Sequence, residues 1–513
     1  MAVSDTAEQT WDIIVVGAGA AGAVVAARAS EDPDRSVLLL DAGPDYPLAA
    51  DLPDDLRNGH DNSYVDHDWG LTYDPLEGRT DRFPRGRVTG GSTAVNTTIA
   101  LRGIPADYDG WAELGNPAWA WDKVLPAFNR LERDLDFGDE PHHGDAGPTS
   151  IRRWRDEELV PTQAAFVQAA IEHGYPACAD VNAPDAVGVG PMAMNKLGRL
   201  RISTAIGYLA AARHRDNLTI RPDTLVNRVL IEGERAVGVE TATGDRLAAR
   251  LVVVASGAIH TPGVLVRSGV GDSTELTALG IDLVADVPGV GANLADHPAL
   301  AILMKPKFPE FCAPELPLVQ TICRYTSEGS TSPLDVNIEL ITRSMSRGRE
   351  AVFMLAPSLE QVDGRGEVRQ RSAAPDSMPI ISAKFGEDDR DVARHVRALE
   401  DAFELTRVEP LSEFIEAVLF PDPARRSRED LMQLAKRASA SGYHPCGTAR
   451  MGPAEDPASV VDQFGRCHAV DQLVVADASI MPTVPRANIN LSTIMIGEMV
   501  GEWLRTEPAK YGL

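Results

Sequence analysis

WDIIVVGAGAAGAVVAARASEDPDRSVLLLDAGP, from Trp11 to Pro44, changes its residue pattern repeatedly within thirty-four positions. Ile13 to Val16 form a continuous apolar run, as in a parallel strand buried on both faces. Gly17, Gly19 and Gly22 follow in GxGxxG spacing, and small residues then predict a helix from about Ala20 to Ser30. Gly17 permits a tight turn, Gly19 lets the backbone approach a pyrophosphate, and Gly22 brings the helix close to the strand. The helix start, with Ala20 and Ala21, turns free N–H groups and positive dipole toward phosphates. A second strand, SVLLLD, ends at Asp41, nineteen residues beyond Gly22, where a carboxylate can accept hydrogen bonds from both ribose hydroxyls. This unit predicts an α/β dinucleotide fold and leaves NAD and FAD both open.

Three later stretches favour FAD. RFPRGRVTGGSTAVNTTIALRG (Arg82 to Gly103) gathers Arg87, Gly90, Gly91, Ser92, Asn96 and Thr97 into a loop whose main chain can pass close to a flat ligand. GAIHTPGVLVRSGVG (Gly257 to Gly271) follows the apolar strand LVVVAS, giving a second strand–turn–helix crossing at Ser256 and Gly257. LVVADASIMPTVPRANINLSTIMIGEMVGEWL is another buried strand ending at Asp477 and Ala478, then a turn-rich segment, then a helix from about Ser492. An acid there can serve the ribityl or pyrophosphate part of a long dinucleotide.

Taken in order, these segments resemble the glucose–methanol–choline (GMC) oxidoreductases. Shorter matches support the likeness: DYDGWAELGNPAWAWDKVLPAF (Asp107 to Phe128), RISTAIGYL (Arg201 to Leu209), VGANLADHP (Val290 to Pro298) and HPCGTARMG (His444 to Gly452). The resemblance implies one FAD per chain and oxidation of an alcohol CH–OH to a carbonyl. His444 matches the family base near flavin N5, and Asn488 matches the second active-site position, which orients the substrate oxygen. Asn490 and Thr493, at the last helix start, are either contacts to the N1–C2=O edge of the flavin or plain helix caps. Val226 matches a position whose backbone meets the adenine. Val95 stands where one subgroup carries the histidine that bonds FAD covalently, so non-covalent FAD is expected. A primary alcohol, aryl or choline-like, or a sugar or glycoside hydroxyl fits the family, with dioxygen or another acceptor reoxidising the flavin. The alternative is the family's hydroxynitrile lyase branch, in which the flavin is structural.

The expected fold is an α/β FAD-binding Rossmann-like domain, discontinuous over residues 8–155, 195–300 and 440–513. Residues 156–194 and 301–439 are expected to form an α+β substrate domain, a six-stranded antiparallel sheet backed by helices. Short strand-like runs such as LDVNIELITRS and EVRQRS are assigned to that sheet, and DDRDVARHVRALEDAFELT to a helix. Residues 44–82, rich in Pro, Gly, Asp and Asn, read as a long loop that could act as a lid. The stretch ERDLDFGDEPHHGD reads as a solvated loop, and no metal is expected at His142 and His143. His260 and His297 are read as supporting residues away from the catalytic pair.

Composition bounds the rest. Lys and Arg number 49 against 75 Asp and Glu, a net charge of −26 that disfavours nucleic acid and anionic membrane surfaces as partners. Five cysteines without CxxC spacing indicate neither a zinc site nor a disulfide framework. A polar, acidic N-terminus and the lack of an apolar run of roughly 20 residues predict a soluble cytoplasmic protein with no membrane partner.

Overall fold

The computed structural model describes residues 10–342 and 351–513. Residues 8 and 9 of the expected first domain, and Arg343 and Ser344 of the LDVNIELITRS run, lie outside them. The chain opens with β1 (Trp11–Val16), α1 (Gly22–Ala29) and β2 (Val37–Leu40). Gly17, at φ 100°, spends the next residues on the turn, so the helix begins at Gly22 rather than Ala20. A Cβ on Gly22 would lie 1.9 Å from the Gly17 carbonyl oxygen, which is why helix and turn pack this closely only with glycine there.

Four strands complete most of the first sheet: β3 (Leu218–Arg221), β4 (Val226–Glu232), β5 (Arg235–Thr241) and β6 (Arg246–Val254). The long β6 serves two ladders. Its first half pairs antiparallel with β5, which pairs with β4. Its second half runs parallel to β1, with Ile13 opposite Leu251 and Val16 opposite Val254. On the far side of β1, β2 and then β3 continue the parallel ladder. The helix α2 (Gly257–Arg267) follows and packs on β4. The strand ends thus converge on one edge, where a doubly wound sheet binds ligands.

The second sheet is built from β7 (Ile302–Pro306), β8 (Val319–Tyr325), β9 (Val336–Ile341), β10 (Phe353–Leu359) and, after the helix α3 (Asp389–Leu405), β11 (Ile415–Phe420). Its order is β11, β7, β10, β9, β8 and then Gly188–Pro191, all antiparallel. Two short strands, Pro298–Ala299 and Ala440–Ser441, extend it to eight among the described residues. Both fall within segments expected in the first domain, so the sheets are stitched together at the cavity described below. The helix α3 lies on β10 and Pro161–His173 lies on β8, covering the sheet's outer face. The chain then returns: β12 (Leu473–Val475) pairs in parallel with β6, and α4 (Asn490–Thr506) packs along α1.

Three expectations change. EVRQRS does not join the second sheet. Glu367–Arg369 pairs with Ile380–Ser382, which meets the hairpin Thr72–Leu76/Arg79–Arg82. That hairpin lies inside the segment read as a loop, which also holds the short helix Asp54–Arg57. The cause is a separate apolar cluster, with Leu71, Tyr73 and Phe83 packed on Ile259, Leu294, Val368 and Ile381. The stretch 132–145 is no solvated loop either: Glu132–Asp134 is a strand and the His143 side chain is buried.

Arg201 fastens the 54–63 segment to the cavity wall. Its guanidinium, 1% exposed, donates to the carbonyls of Asp55, Leu56, Asn58, Asp61, Ala94 and Asn96. Arg201→Met strands these carbonyls at once and is expected to lower the unfolding free energy by at least about 3 kcal/mol. An unchanged urea midpoint would contradict that.

Candidate active site

A cavity of about 390 Å³ runs between the first sheet and the second. One end is walled by Gly17, Gly19, Ala20, Ala21, Asp41 and Val226. Its middle is lined by Gly91, Ser92, Asn96, Thr97, Ser256, Gly257, Asp477, Ala478, Asn490 and Thr493. The other end holds His444 and Asn488 beneath Glu339, Ile341, Ala356, Ser358 and Glu360 of the second sheet. Of the residues named from sequence, Gly22, Arg87 and Gly90 do not reach the cavity. Gly22 sits beneath the first turn, and Gly90 adopts φ 99° against Ala94 and Ala205. Arg87 donates to the Ala42 carbonyl at 3.2 Å and lies over the Trp69 ring.

The His444 end is built by two loops zipped together. Ala295 and Cys446 exchange backbone hydrogen bonds of 3.0 and 2.9 Å, and Gly442 N–H donates to the His297 carbonyl at 2.7 Å. The buried Asp296 carboxylate accepts from the His444 N–H at 2.8 Å, from the His297 N–H at 2.8 Å and from the Ser441 hydroxyl. Arg85 clamps the same loop from the other side, donating to the Tyr443 carbonyl at 3.1 Å. So fixed, the His444 ring places Nε2 2.9 Å from Asn488 Nδ2 and Nδ1 2.9 Å from His297 Nδ1. Burial first, then the neighbouring His297 and Arg85, hold the His444 imidazole well below the usual histidine pKa. One ring nitrogen thus faces Asn488 and the other faces His297.

Family models described as GMC oxidoreductase match residues 11–299 and 363–497. The chain belongs to the GMC oxidoreductases. It is therefore an FAD-dependent alcohol oxidase or dehydrogenase. The 5-(hydroxymethyl)furfural oxidase of Methylovorus sp. (strain MP688) is 34% identical over 545 residues, covering 97% of this chain and 99% of its own. The mitochondrial choline dehydrogenase of Mus musculus is 33% identical, covering 99% of this chain and 91% of its own. Among solved structures, pyridoxine 4-oxidase from Mesorbium loti superposes with a TM-score of 0.89 at 29% identity, over 96% of this chain and 99% of that one.

The residues of this GMC oxidoreductase fit FAD. Gly19 and Gly91 approach so closely that a Cβ on Gly91 would lie 2.8 Å from the Gly19 Cα, leaving a backbone cradle for the pyrophosphate. Asp41 accepts from the Ala18 and Gly43 N–H groups, both at 2.8 Å, which fixes its carboxylate at the cavity edge; burial pushes its pKa up to about 6. Asp477 accepts from Gly257 N–H at 2.8 Å, Thr261 hydroxyl at 2.6 Å and Ser479 N–H at 2.8 Å. It thereby ties the two strand–helix crossings together along the cavity wall. Asn490 Nδ2 is buried and has no partner, the donor a bound dinucleotide would satisfy. No helix among the described residues is long and apolar enough to cross a membrane.

His297, expected away from the His444–Asn488 pair in a supporting role, instead meets the His444 ring directly, Nδ1 to Nδ1 at 2.9 Å. The signal was present in VGANLADHP, but only the zipped loops show which motif it faces. Glu339 and Glu360 carried no signal, being acids within apolar strand patterns. Burial, and then Glu360, push the Glu339 carboxyl up to about 8. His143 lies between Glu132 at 2.8 Å and Asp180 at 2.9 Å, with Asp134 also near. Arg102 pairs with Glu132, and Arg153 with Asp134 and Asp180, so each of the three acids also meets a guanidinium. Those acids raise the His143 pKa against the opposing effect of burial.

Proposed function

We propose that the chain oxidises the hydroxymethyl group of a small ring-bearing primary alcohol, with His444 as base and Asn488 as its partner. The observation that carries this reading is the pair His444 Nε2 and Asn488 Nδ2, 2.9 Å apart in the cavity wall. Asn488 donates to Nε2, so the ring proton of neutral His444 sits on Nδ1 and Nε2 keeps its lone pair toward the cavity. An incoming hydroxyl replaces that bond: its O–H donates to Nε2, and its oxygen accepts from Asn488 Nδ2. The proton moves to Nε2 while Asn488 holds the developing alkoxide. Bound FAD supplies the acceptor, N5, for the hydride leaving the carbinol carbon. Beside Glu339, Ser358 and Glu360, this end presents apolar surface from Leu318, Val319, Ile341 and Ala356 that suits a flat ring. Two relatives named for hydroxymethylfurfural and pyridoxine support the same class.

The test is anaerobic reduction of the bound flavin by hydroxymethylfurfural, pyridoxine, aryl alcohols, choline and glycosides. The ring-bearing primary alcohols are expected to bleach the visible band fastest. Cyanohydrin cleavage would leave that band intact, and so separates the lyase reading. Two further outcomes follow. Because the His444 pKa is lowered, the acid limb of kcat/KM is expected well below about pH 6.5, since protonation of Nε2 abolishes the base only there. A limb above that pH would contradict the assignment. Val95 is buried against Leu52, Leu56 and Val88 and has no group to bond the flavin, so acid precipitation is expected to release intact FAD into the supernatant. Flavin retained in the pellet would sink that expectation.

A further inference from the structure

Behind the proposed base stands a second imidazole and then a carboxylate. His444 Nδ1 lies 2.9 Å from His297 Nδ1, and that same His297 nitrogen lies 3.5 Å from Glu360 Oε2. Glu360 is in turn fixed by the Ser358 hydroxyl, which donates to its Oε1 at 2.6 Å. The His297 and Glu360 side chains are 0% and 4% exposed, and both residues line the substrate end of the cavity. The two rings meet edge to face, with centroids 5.0 Å apart. Two imidazole nitrogens at this separation must share one proton: with none they repel, and with two they clash.

We infer that His297 and Glu360 are positioning residues that accept, behind His444, the charge created when the substrate hydroxyl is deprotonated. The inference rests on the reading of His444 as base. Before reaction the shared proton is on His444 Nδ1, pointing at the His297 Nδ1 lone pair, which leaves Nε2 free. When Nε2 takes the hydroxyl proton, the O–H bond breaks and an Nε2–H bond forms. The Nδ1–H bond of His444 then breaks and an Nδ1–H bond forms on His297. One proton enters at Nε2 and one leaves at Nδ1. His444 ends neutral, and the positive charge rests on His297 beside Glu360. The electron pair of the carbinol C–H bond leaves as hydride in the family's own reaction, so the relay needs no further oxidant.

Other charged groups flank the two imidazoles. Asp296, under both loops, is bonded to the backbone N–H groups of His297 and His444 and to Ser441. Arg85, from the 82–103 loop, faces His444 and opposes its protonation. Tyr443 precedes His444 in the same loop and gives its carbonyl to Arg85. Arg324, on β8, senses Glu360 but donates to the Val181 and Arg486 carbonyls. Glu339, on β9, faces the same end of the cavity, and its raised pKa keeps a second charge away from Glu360 near neutral pH. Among the described residues, the carboxylate paired with His297 Nδ1 is that of Glu360.

The test compares FAD-loaded wild type, Glu360→Gln, Glu360→Asp and His444→Ala, each checked for bound flavin by its visible spectrum. Glutamine keeps the shape and the Ser358 contact but removes the counter-charge. For Glu360→Gln the acid limb of kcat/KM is expected to move down by about one pH unit, because a lost anion disfavours the protonated pair. The limiting rate of anaerobic flavin reduction is expected to fall about tenfold, the same factor read as a rate, and Glu360→Asp to recover part of both. Imidazole ¹⁵N spectra of wild type are expected to show a protonated Nδ1 on one histidine of the pair, with a titration that moves down in Glu360→Gln. A pH profile and ¹⁵N titration in Glu360→Gln that overlay wild type would overturn the inference. If His444→Ala reduces its flavin normally, the base reading itself fails; if His444→Ala is inactive and Glu360→Gln is unchanged, only the relay fails.

Discussion

His444→Ala is expected to slow flavin reduction by about 10²–10⁴-fold, the usual contribution of a positioned general base, with FAD still bound. The loss is large because neither neighbour of the ring can take over at Nε2. Asn488 is a donor on this side and not a base, and His297 reaches only the far nitrogen of the ring. Cofactor binding should survive, since Gly19, Asp41 and Val226, the expected pyrophosphate, ribose and adenine contacts, lie at the opposite end of the cavity. The loop itself should survive too, because Asp296 holds it through the backbone N–H of residue 444, which alanine retains. Raising the pH should not rescue the variant, as it would if the change merely shifted a pKa. A His444→Ala protein that reduces its flavin at the wild-type rate would remove the base from the account.

The second large effect is expected at Gly22. A methyl group there would lie 1.9 Å from the Gly17 carbonyl oxygen and 3.0 Å from the Ala255 Cβ, against backbone on one side and a neighbouring strand on the other. Neither can retreat cheaply, because Gly17 N–H is bonded to the Leu40 carbonyl at 2.8 Å and Ala255 N–H to the Val16 carbonyl at 2.8 Å. Overpacking of this kind costs about 1–3 kcal/mol even where side chains can move, and more where only backbone can. The turn expected to cradle the pyrophosphate must then open. Gly22→Ala is expected to purify with little flavin and a lowered melting temperature. A normal ratio of visible to protein absorbance would show that the turn tolerates the methyl group.

The two effects mark what the residues announced in advance and what they concealed. Short-range physics is visible in a sequence. The run Ile13 to Val16, the glycines at 17, 19 and 22, and Asp41 describe one compact unit, and the structure places them as spacing requires. The helix α3 was equally plain, since its apolar residues recur at helical intervals across seventeen residues. Partners distant in sequence were not visible. The His297–His444 contact spans 147 residues and exists only because the 290–298 and 441–447 loops exchange backbone hydrogen bonds. Glu339 and Glu360 face the cavity because β9 and the end of β10 turn one side inward, and strand alternation alone does not say which side. The hairpin at 72–82 was hidden by its turn-forming residues, while the apolar contacts that fold it, Ile259, Leu294 and Val368, come from elsewhere in the chain.

In the proposed reaction an alcohol gives its hydroxyl proton to His444 and its carbinol hydride to the bound flavin. The most direct measurement is anaerobic mixing of the FAD-loaded protein with a ring-bearing primary alcohol, unlabelled and deuterated at the carbinol carbon. The account predicts bleaching of the visible flavin band, slower with the deuterated alcohol, and formation of the aldehyde. A flavin that stays oxidised with every alcohol offered, in a protein whose FAD site is full, would contradict it.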